Sequence, residues 1–306
     1  MCSTQHSGDD PDTSTRRHRD RFRTPAPRRR PDRRGRRHGR LAEACAFAPT
    51  GSDAGAAPAS EGALQTVTAG KLTIATGEPA FSPWVENDDP ASGEGFEAAV
   101  ADAVATQLGF AKDDVVWVRS TFDSAIAPGP KDWDLNVQQF SITDERKNAV
   151  DFSSSDYTTT QAVVTTGSSP AASATTVEEL KGIPVGVMSA TTSYQVAEDQ
   201  LGTANLSVYN SNDDAVAALQ AGQVDAIIVD LPTAFYLAGA VLDDGKVVGQ
   251  LPDSSVGGDE LAFVLPKGSA LTAPVSEAVD ALRADGTLDE LQQTWLGGTA
   301  AAPVLK

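Results

Sequence analysis

From Lys71 onward, short apolar runs alternate with longer stretches whose apolar positions recur at helical spacing. The first pattern fits strands and the second fits amphipathic helices. Leu72 and Ile74 predict a strand over Lys71–Ala75. Phe96, Val100, Val104 and Leu108 predict a helix that stops at Gly109. Val115–Val118 and Leu135–Phe140 predict buried strands, the second followed by a helix opening at Thr143. Ala162–Thr165 predicts a strand leaving this unit, and the Gly/Ser/Pro/Ala stretch Gly167–Ala174 reads as a boundary.

A second unit of the same kind follows. Thr176-Val177-Glu178-Glu179 has the form of a capping box ahead of Leu180. Pro184–Met188 and Leu206–Val208 predict strands, with a helix after Thr191 between them. Val216 and Leu219 mark a helix that ends near Gly222. Ala226–Val229 is continuously apolar, as a strand covered on both faces must be. A helix starts at Pro232, where a missing N–H costs nothing. Strands over Lys246–Gly249 and Leu261–Leu265, then helices over Thr272–Arg283 and Leu288–Leu296, close the pattern. Strands alternating with helices imply an α/β fold with mostly parallel sheets and right-handed crossovers. No short-period repeat is visible.

Charge divides the chain differently. Residues 1–60 carry 13 arginines against 7 acidic residues, a net +6, and are rich in Pro. Residues 61–306 carry 11 basic and 35 acidic residues, a net −24. Residues 1–40 hold too few aliphatic side chains to offset chain entropy and are expected to be a disordered tail. A misread start of the reading frame would give the same Arg/Pro-rich text. The acidic remainder repels phosphate backbones, so no nucleic-acid partner is expected.

All three His (His6, His18, His38) and both Cys (Cys2, Cys45) lie before residue 61. The remainder therefore cannot build a Ser-His-Asp triad, a Cys-His pair or a His- or Cys-ligated zinc site. Neither a metal nor a cofactor is expected. Leu41-Ala42-Glu43-Ala44-Cys45 is a poor copy of a lipoprotein cleavage box, and an Ala/Gly/Ser linker follows it to residue 60. Cys45 is thus the candidate lipidation position, although no apolar run precedes it as an intact signal peptide requires.

Five segments, in order, carry a resemblance. They are Leu72–Thr76 followed by Pro79–Trp84; Gly95-Phe96-Glu97; Ser141–Lys147 with Val150–Ser153; Leu180-Lys181-Gly182 with Val185-Gly186-Val187 and Thr191-Thr192; and Gly222–Ala226 running to Asp230. Asp285-Gly286-Thr287 and Trp295-Leu296-Gly297 fit the same ending. Over roughly Lys71–Gly297 the chain resembles family 3 of the extracellular solute-binding proteins, the polar amino-acid-binding components of bacterial ABC importers. The resemblance implies a two-lobed, type II periplasmic-binding-protein-like clamp. Lobe one would take 70–163 plus 258–300 and lobe two 168–253. It further implies a small zwitterionic solute such as an amino acid, membrane permease subunits as partners, a monomer, and an extracytoplasmic, lipid-anchored location. An enzyme on the same fold, dehydratase-like, and a periplasmic sensor domain are the alternatives.

The same resemblance assigns the binding residues. Arg146 would grip the solute carboxylate bidentately, as guanidinium geometry allows. Its bland alternative is a solvated arginine on a helix face. Thr192 at a helix start and Ser141 at a strand end would add donors to that carboxylate. Thr192 could equally serve only as a cap. Asp230, at the carboxyl end of the Ala226–Val229 strand, would pair with the α-ammonium group. Phe81 and Trp84 would face the solute side chain, or one of them would be core packing. Of Gln138 and Gln139, strand alternation lets one face the cleft, and Gln139 is carried as the candidate. Glu78 would contact the solute side chain and favour cationic or polar solutes.

Overall fold

The computed structural model describes residues 64–252, 258–297 and 302–306. The predicted tail over 1–60, with Cys45, lies outside the described residues.

Among the described residues twelve strands and eight α-helices run in this order: β1 (Leu72–Thr76), α1 (Phe96–Gln107), β2 (Val115–Arg119), α2 (Phe122–Ile126), β3 (Leu135–Asn136), β4 (Val150–Phe152), β5 (Tyr157–Thr159) and β6 (Gln161–Thr166). Then come α3 (Val177–Leu180), β7 (Val185–Met188), α4 (Thr192–Leu201), β8 (Leu206–Tyr209), α5 (Asn212–Gln220), β9 (Ala226–Asp230), α6 (Leu231–Tyr236) and β10 (Gly245–Gln250). The last are β11 (Asp259–Leu261), β12 (Val264–Pro266), α7 (Thr272–Ala284) and α8 (Thr287–Leu296).

One five-stranded sheet has the order β2-β1-β3-β12-β4 and the other β10-β6-β9-β7-β8. These are one arrangement used twice. In each, the first strand lies between the second and third in parallel. A strand from elsewhere in the chain then inserts antiparallel, β12 in the first sheet and β6 in the second, and the fourth strand follows. A short antiparallel ribbon, β5 with β11, carries the chain between the sheets in both directions.

Alternation along the strands supplies two covered faces per sheet. On β9, Ala226 and Ile228 pack with Val185, Val187 and helix residues Leu180, Ala197 and Leu201. Ile227 and Val229 point the other way, onto Ala215, Val216, Leu219 and Ala234. In the first sheet, Leu72 and Ile74 pack against α1, α7 and α8 through Val100, Val104, Val275, Val279 and Leu288. Ala75 faces the opposite cluster of Trp133, Phe140, Val150 and Val264. At Gly95 the backbone takes φ 100°, and a Cβ there would sit 2.5 Å from the Trp84 carbonyl oxygen. Only glycine allows α1 to start so close to the loop after β1.

Several sequence expectations shift. Val115–Val118 is half-exposed, because β2 is an edge strand. The strand expected over Leu135–Phe140 ends at Asn136, and Gln139 takes φ 51°, outside strand geometry. No α-helix opens at Thr143; a three-residue 3-10 turn spans Arg146–Asn148. Leu261–Leu265 is two strands, β11 and β12, belonging to different sheets. The second sheet already begins at Gln161, ahead of the expected 163/168 divide. Residues 302–306, beyond both expected lobes, also pack on it. Leu305 is buried among the β7 and β9 side chains, and its N–H donates to the Gln250 carbonyl at 2.9 Å. Among the described residues no helix is long and apolar enough to cross a membrane.

Ile228 is fully buried at the centre of the second sheet. Ile228→Ala is expected to lower the unfolding free energy of the full chain by about 2–5 kcal/mol, read from urea denaturation with unchanged m-value. A loss below about 1 kcal/mol would contradict this assignment of the core.

Candidate functional site

In open α/β sheets, ligand sites form outside the carboxyl ends of the parallel strands, where loops and helix starts converge. Here that rule operates from both sheets at once. A cavity of about 310 Å³ is lined by the segments that follow β1, β2 and β3 on one side. On the other side it is lined by the segments that follow β7 and β8 and by the end of β9.

Arg146 is the one cation lining this cavity among the described residues, and it is 8 % exposed. Its guanidinium donates from NH1 to the Ser141 carbonyl at 2.7 Å and from NH2 to the Ala190 carbonyl at 2.8 Å. Those two bonds reach segments of both sheets and use two of five N–H donors. The guanidinium also lies 5.3 Å from the Phe122 ring centroid, which in turn stacks on Phe140 at 4.7 Å. Burial pulls the Arg146 pKa down while the Asp259 and Asp230 carboxylates oppose this. An arginine stays cationic through such a shift. A short 3-10 turn beginning at Arg146, not an α-helix opening at Thr143, carries it. Thr143 Oγ1 accepts from the Arg146 N–H at 3.1 Å and shapes the turn instead.

The start of α4 supplies backbone donors from the second sheet. Thr191 is its N-cap, its hydroxyl accepting from the Tyr194 N–H at 3.1 Å. Thr192 is thereby released from capping. It is buried, and its Oγ1 meets Ser141 Oγ at 3.1 Å across the cavity. Ala190, in the turn before, takes φ 59°, a left-handed conformation costly for a residue with a Cβ. Its carbonyl is held by Arg146.

Asp230 ends β9 and lines the cavity. Its Oδ1 accepts from Gln161 Nε2 at 2.8 Å. Burial, then the charge of Asp259, push its carboxyl up to about 7, against the pull of Gln161 and Arg146. The Gln161 bond is the side-chain hydrogen bond of its carboxylate among the described residues.

Of the other residues expected from sequence, Phe81 and Glu78 line the cavity. Gln138 and Gln139 both line it too, because the strand ends before them and alternation no longer applies. Gln138 Nε2 is bound to Asn136 Oδ1 at 2.9 Å. The Gln139 backbone N–H donates to Glu97 Oε1 at 2.6 Å, and its side-chain amide donates to Glu97 Oε2. Glu97 itself is buried and raised to about 7 by desolvation. Trp84 does not line the main cavity. It is 1 % exposed, packed edge-on to Phe96 and Tyr157 at 6.1 and 5.8 Å. Its indole N–H donates to Thr233 Oγ1 on α6 at 2.9 Å, so it joins the two sheets' elements as packing.

Phe122, Asp123, Asp213 and Gln161 escaped the sequence reading. Phe122, Asp123 and Asp213 line the cavity. They follow the carboxyl ends of β2 and β8, a signal available once those strands are placed. Gln161 is recognisable only from contacts distant in sequence. Among the described residues no group of His, Cys, Asp and Glu could hold a metal ion.

Comparison with known proteins agrees with this architecture. Residues 72–298 match the model of the bacterial extracellular solute-binding proteins, family 3. The L-arginine-binding protein of Pseudomonas aeruginosa is 31 % identical over 243 residues, covering 76 % of this chain and 90 % of that protein. The L-cystine-binding protein TcyJ of Escherichia coli K12 is 28 % identical over 243 residues, covering 78 % and 88 %. The solved structure of an ancestral arginine-binding protein bound to glutamine superposes with a TM-score of 0.63 at 28 % identity, covering 75 % of this chain and 99 % of that one. The repeated strand order, the two-way crossing ribbon and the family match together place the chain among the two-lobed, type II extracellular solute-binding proteins of family 3.

Proposed function

We propose that this protein captures an amino acid with a cationic side chain and presents it to the permease of an ABC-type importer. The observation that carries the reading is the charge layout of one cavity. Arg146 and the start of α4 face one part of it and suit a carboxylate. Asp230 suits an α-ammonium group. Glu78, Asp123 and Asp213 add three carboxylates from three further segments, with no second lysine or arginine among the described lining residues. All three are solvent-exposed at the cavity, where they favour a cation over an anion by attraction that water weakens but does not abolish. Relatives that bind arginine support this choice.

The chain would act outside the cytoplasm as a monomer, tethered through a lipid on Cys45. No chemistry is done on the solute in this reading. Asp230 is an ion-pairing group, not an acid catalyst, and the bound molecule should be recovered unchanged by mass spectrometry. Arg146, Ser141 and Thr192, with Asp230, would hold the α-carboxylate and α-ammonium ends, and Phe81 and Phe122 would flank the side chain.

Calorimetric titration of the full chain is expected to show L-arginine and L-lysine binding, with L-glutamate inert. Arg146→Ala should weaken L-arginine binding by about a hundredfold, the scale for truncating one member of a buried charge pair. Tightest binding of L-glutamine would overturn the cationic side chain while leaving the role in solute capture.

The raised Asp230 carboxyl makes affinity depend on pH. Only the ionised form pairs with an ammonium group, so a bound solute lowers its pKa and binding near pH 7 releases protons. L-arginine affinity should therefore fall roughly tenfold per pH unit below about 7. For the ligand-free fold the sign is opposite. A carboxyl raised on folding contributes stability that is present at acid pH and lost as pH rises through about 7. Flat affinity between pH 5.5 and 8 would remove Asp230 from the site.

A further inference from the structure

We infer that Gln161 is the positioning residue of this site, its side-chain amide holding Asp230 and the first turn of α4 in the arrangement that receives the solute's two charged ends. The inference rests on the reading of Asp230 and Thr192 as binding residues. Gln161 is the first residue of β6, where the crossing ribbon enters the second sheet, and it is 5 % exposed. In the ladder it lies opposite Asp230.

Its polar atoms are fully committed. Nε2 donates to Asp230 Oδ1 at 2.8 Å and to Asp259 Oδ2 at 2.7 Å, with a longer approach of 3.4 Å to Thr192 Oγ1. Oε1 accepts from Ser193 Oγ at 2.6 Å. The partners come from the end of β9, from the crossing strand β11 and from the first turn of α4. A primary amide offers two N–H donors and a carbonyl acceptor from one rigid plane, which this set of partners needs. Glutamate would lose both donors and bring a third negative charge. Leucine would leave two carboxylates facing each other with nothing between. Asparagine is one methylene too short to span the same partners.

The amide also fixes which oxygen of Asp230 is free. With Oδ1 engaged by Gln161, the other oxygen is the one turned to a ligand. Asp230 is faced by Asp259 from β11, by Arg146 from the turn after β3, and by Glu97 from α1. Of these, the Asp259 charge disfavours ionised Asp230 while Gln161 and Arg146 favour it. Glu97 feels Asp230 as a repelling charge.

Two measurements on the full chain decide the matter. The first is a carbon-13 titration of the Asp230 carboxyl without ligand, in wild type and Gln161→Leu. Loss of the donor should move the midpoint up from about 7. The second is L-arginine affinity at pH 8 in four proteins: wild type, Gln161→Leu, Asp230→Asn and the double variant. Gln161→Leu should weaken binding by about tenfold or more in the wild-type background, the worth of a hydrogen bond to a charged group. In the Asp230→Asn background the loss should be several-fold smaller, since one of the groups it positions has lost its charge and only its hold on the first turn of α4 remains.

An unmoved Asp230 midpoint overturns the inference. So does an equal loss of affinity in both backgrounds, which would mark Gln161 as general packing. If Gln161→Leu does not fold, the near-isosteric Gln161→Glu serves, with the same expected loss and a larger upward shift of the Asp230 midpoint. A wild-type protein that ignores L-arginine would refute the cationic-solute reading, and the carboxyl titration alone would then decide the role of Gln161.

Discussion

The parallel strand is the constraint on which the rest depends. A strand that must lie parallel to its neighbour forces the chain back over the sheet, and each return starts from a carboxyl end. Two sheets with the same strand order give six such ends. Because the ribbon of β5 and β11 links the sheets, the six ends border one cavity. Every polar group of the site is a consequence of that placement. The loops there are released from pairing with strands and can offer backbone N–H groups, hydroxyls and charges.

Closure is held by groups that also define the site. Arg146 bridges the Ser141 and Ala190 carbonyls, Ser141 meets Thr192, and the Trp84 indole reaches Thr233. A cation buried to this degree needs such partners, since desolvation otherwise expels it. The arrangement uses two guanidinium donors to tie the two sheets' elements together. A solute that adds contacts here favours the closed form by its differential affinity, which is how a clamp couples binding to shape.

The buried carboxyls form a graded set. Asp230 and Glu97 are each raised to about 7, both chiefly by desolvation. Their surroundings give them different work. Glu97 is saturated by the backbone and side chain of Gln139 and stabilises an irregular turn after β3. Asp230 lines the cavity and accepts from Gln161 through one oxygen. Burial alone would not separate the two roles; the hydrogen-bond partners do.

Local pattern made most elements legible. The continuous run Ala226–Val229, the capping box at Thr176 and the periodic helix from Phe96 are where their side chains place them, because burial and capping act over a few residues. The ordered motifs sufficed for the family, and Arg146, Thr192 and Asp230, named from them, line one cavity. What escaped was non-local. The expected strand stops at Asn136, and beyond it Glu97 reaches across from α1 to hold the Gln139 backbone in an irregular turn. Trp84 went to packing because Phe96, Tyr157 and Thr233 converge on it from three separate segments. The repeated strand order of the two lobes leaves no sequence repeat, since the inserted strands β6 and β12 come from different parts of the chain. The sequence by itself determined the alternation of strands and helices, the absence of His and Cys chemistry beyond residue 60, and the acidic character of the folded part. Only the tertiary structure decided which carboxylates share a cavity and that one amide, Gln161, stands between Asp230 and Asp259, because those contacts join residues distant in the chain through sheet pairing.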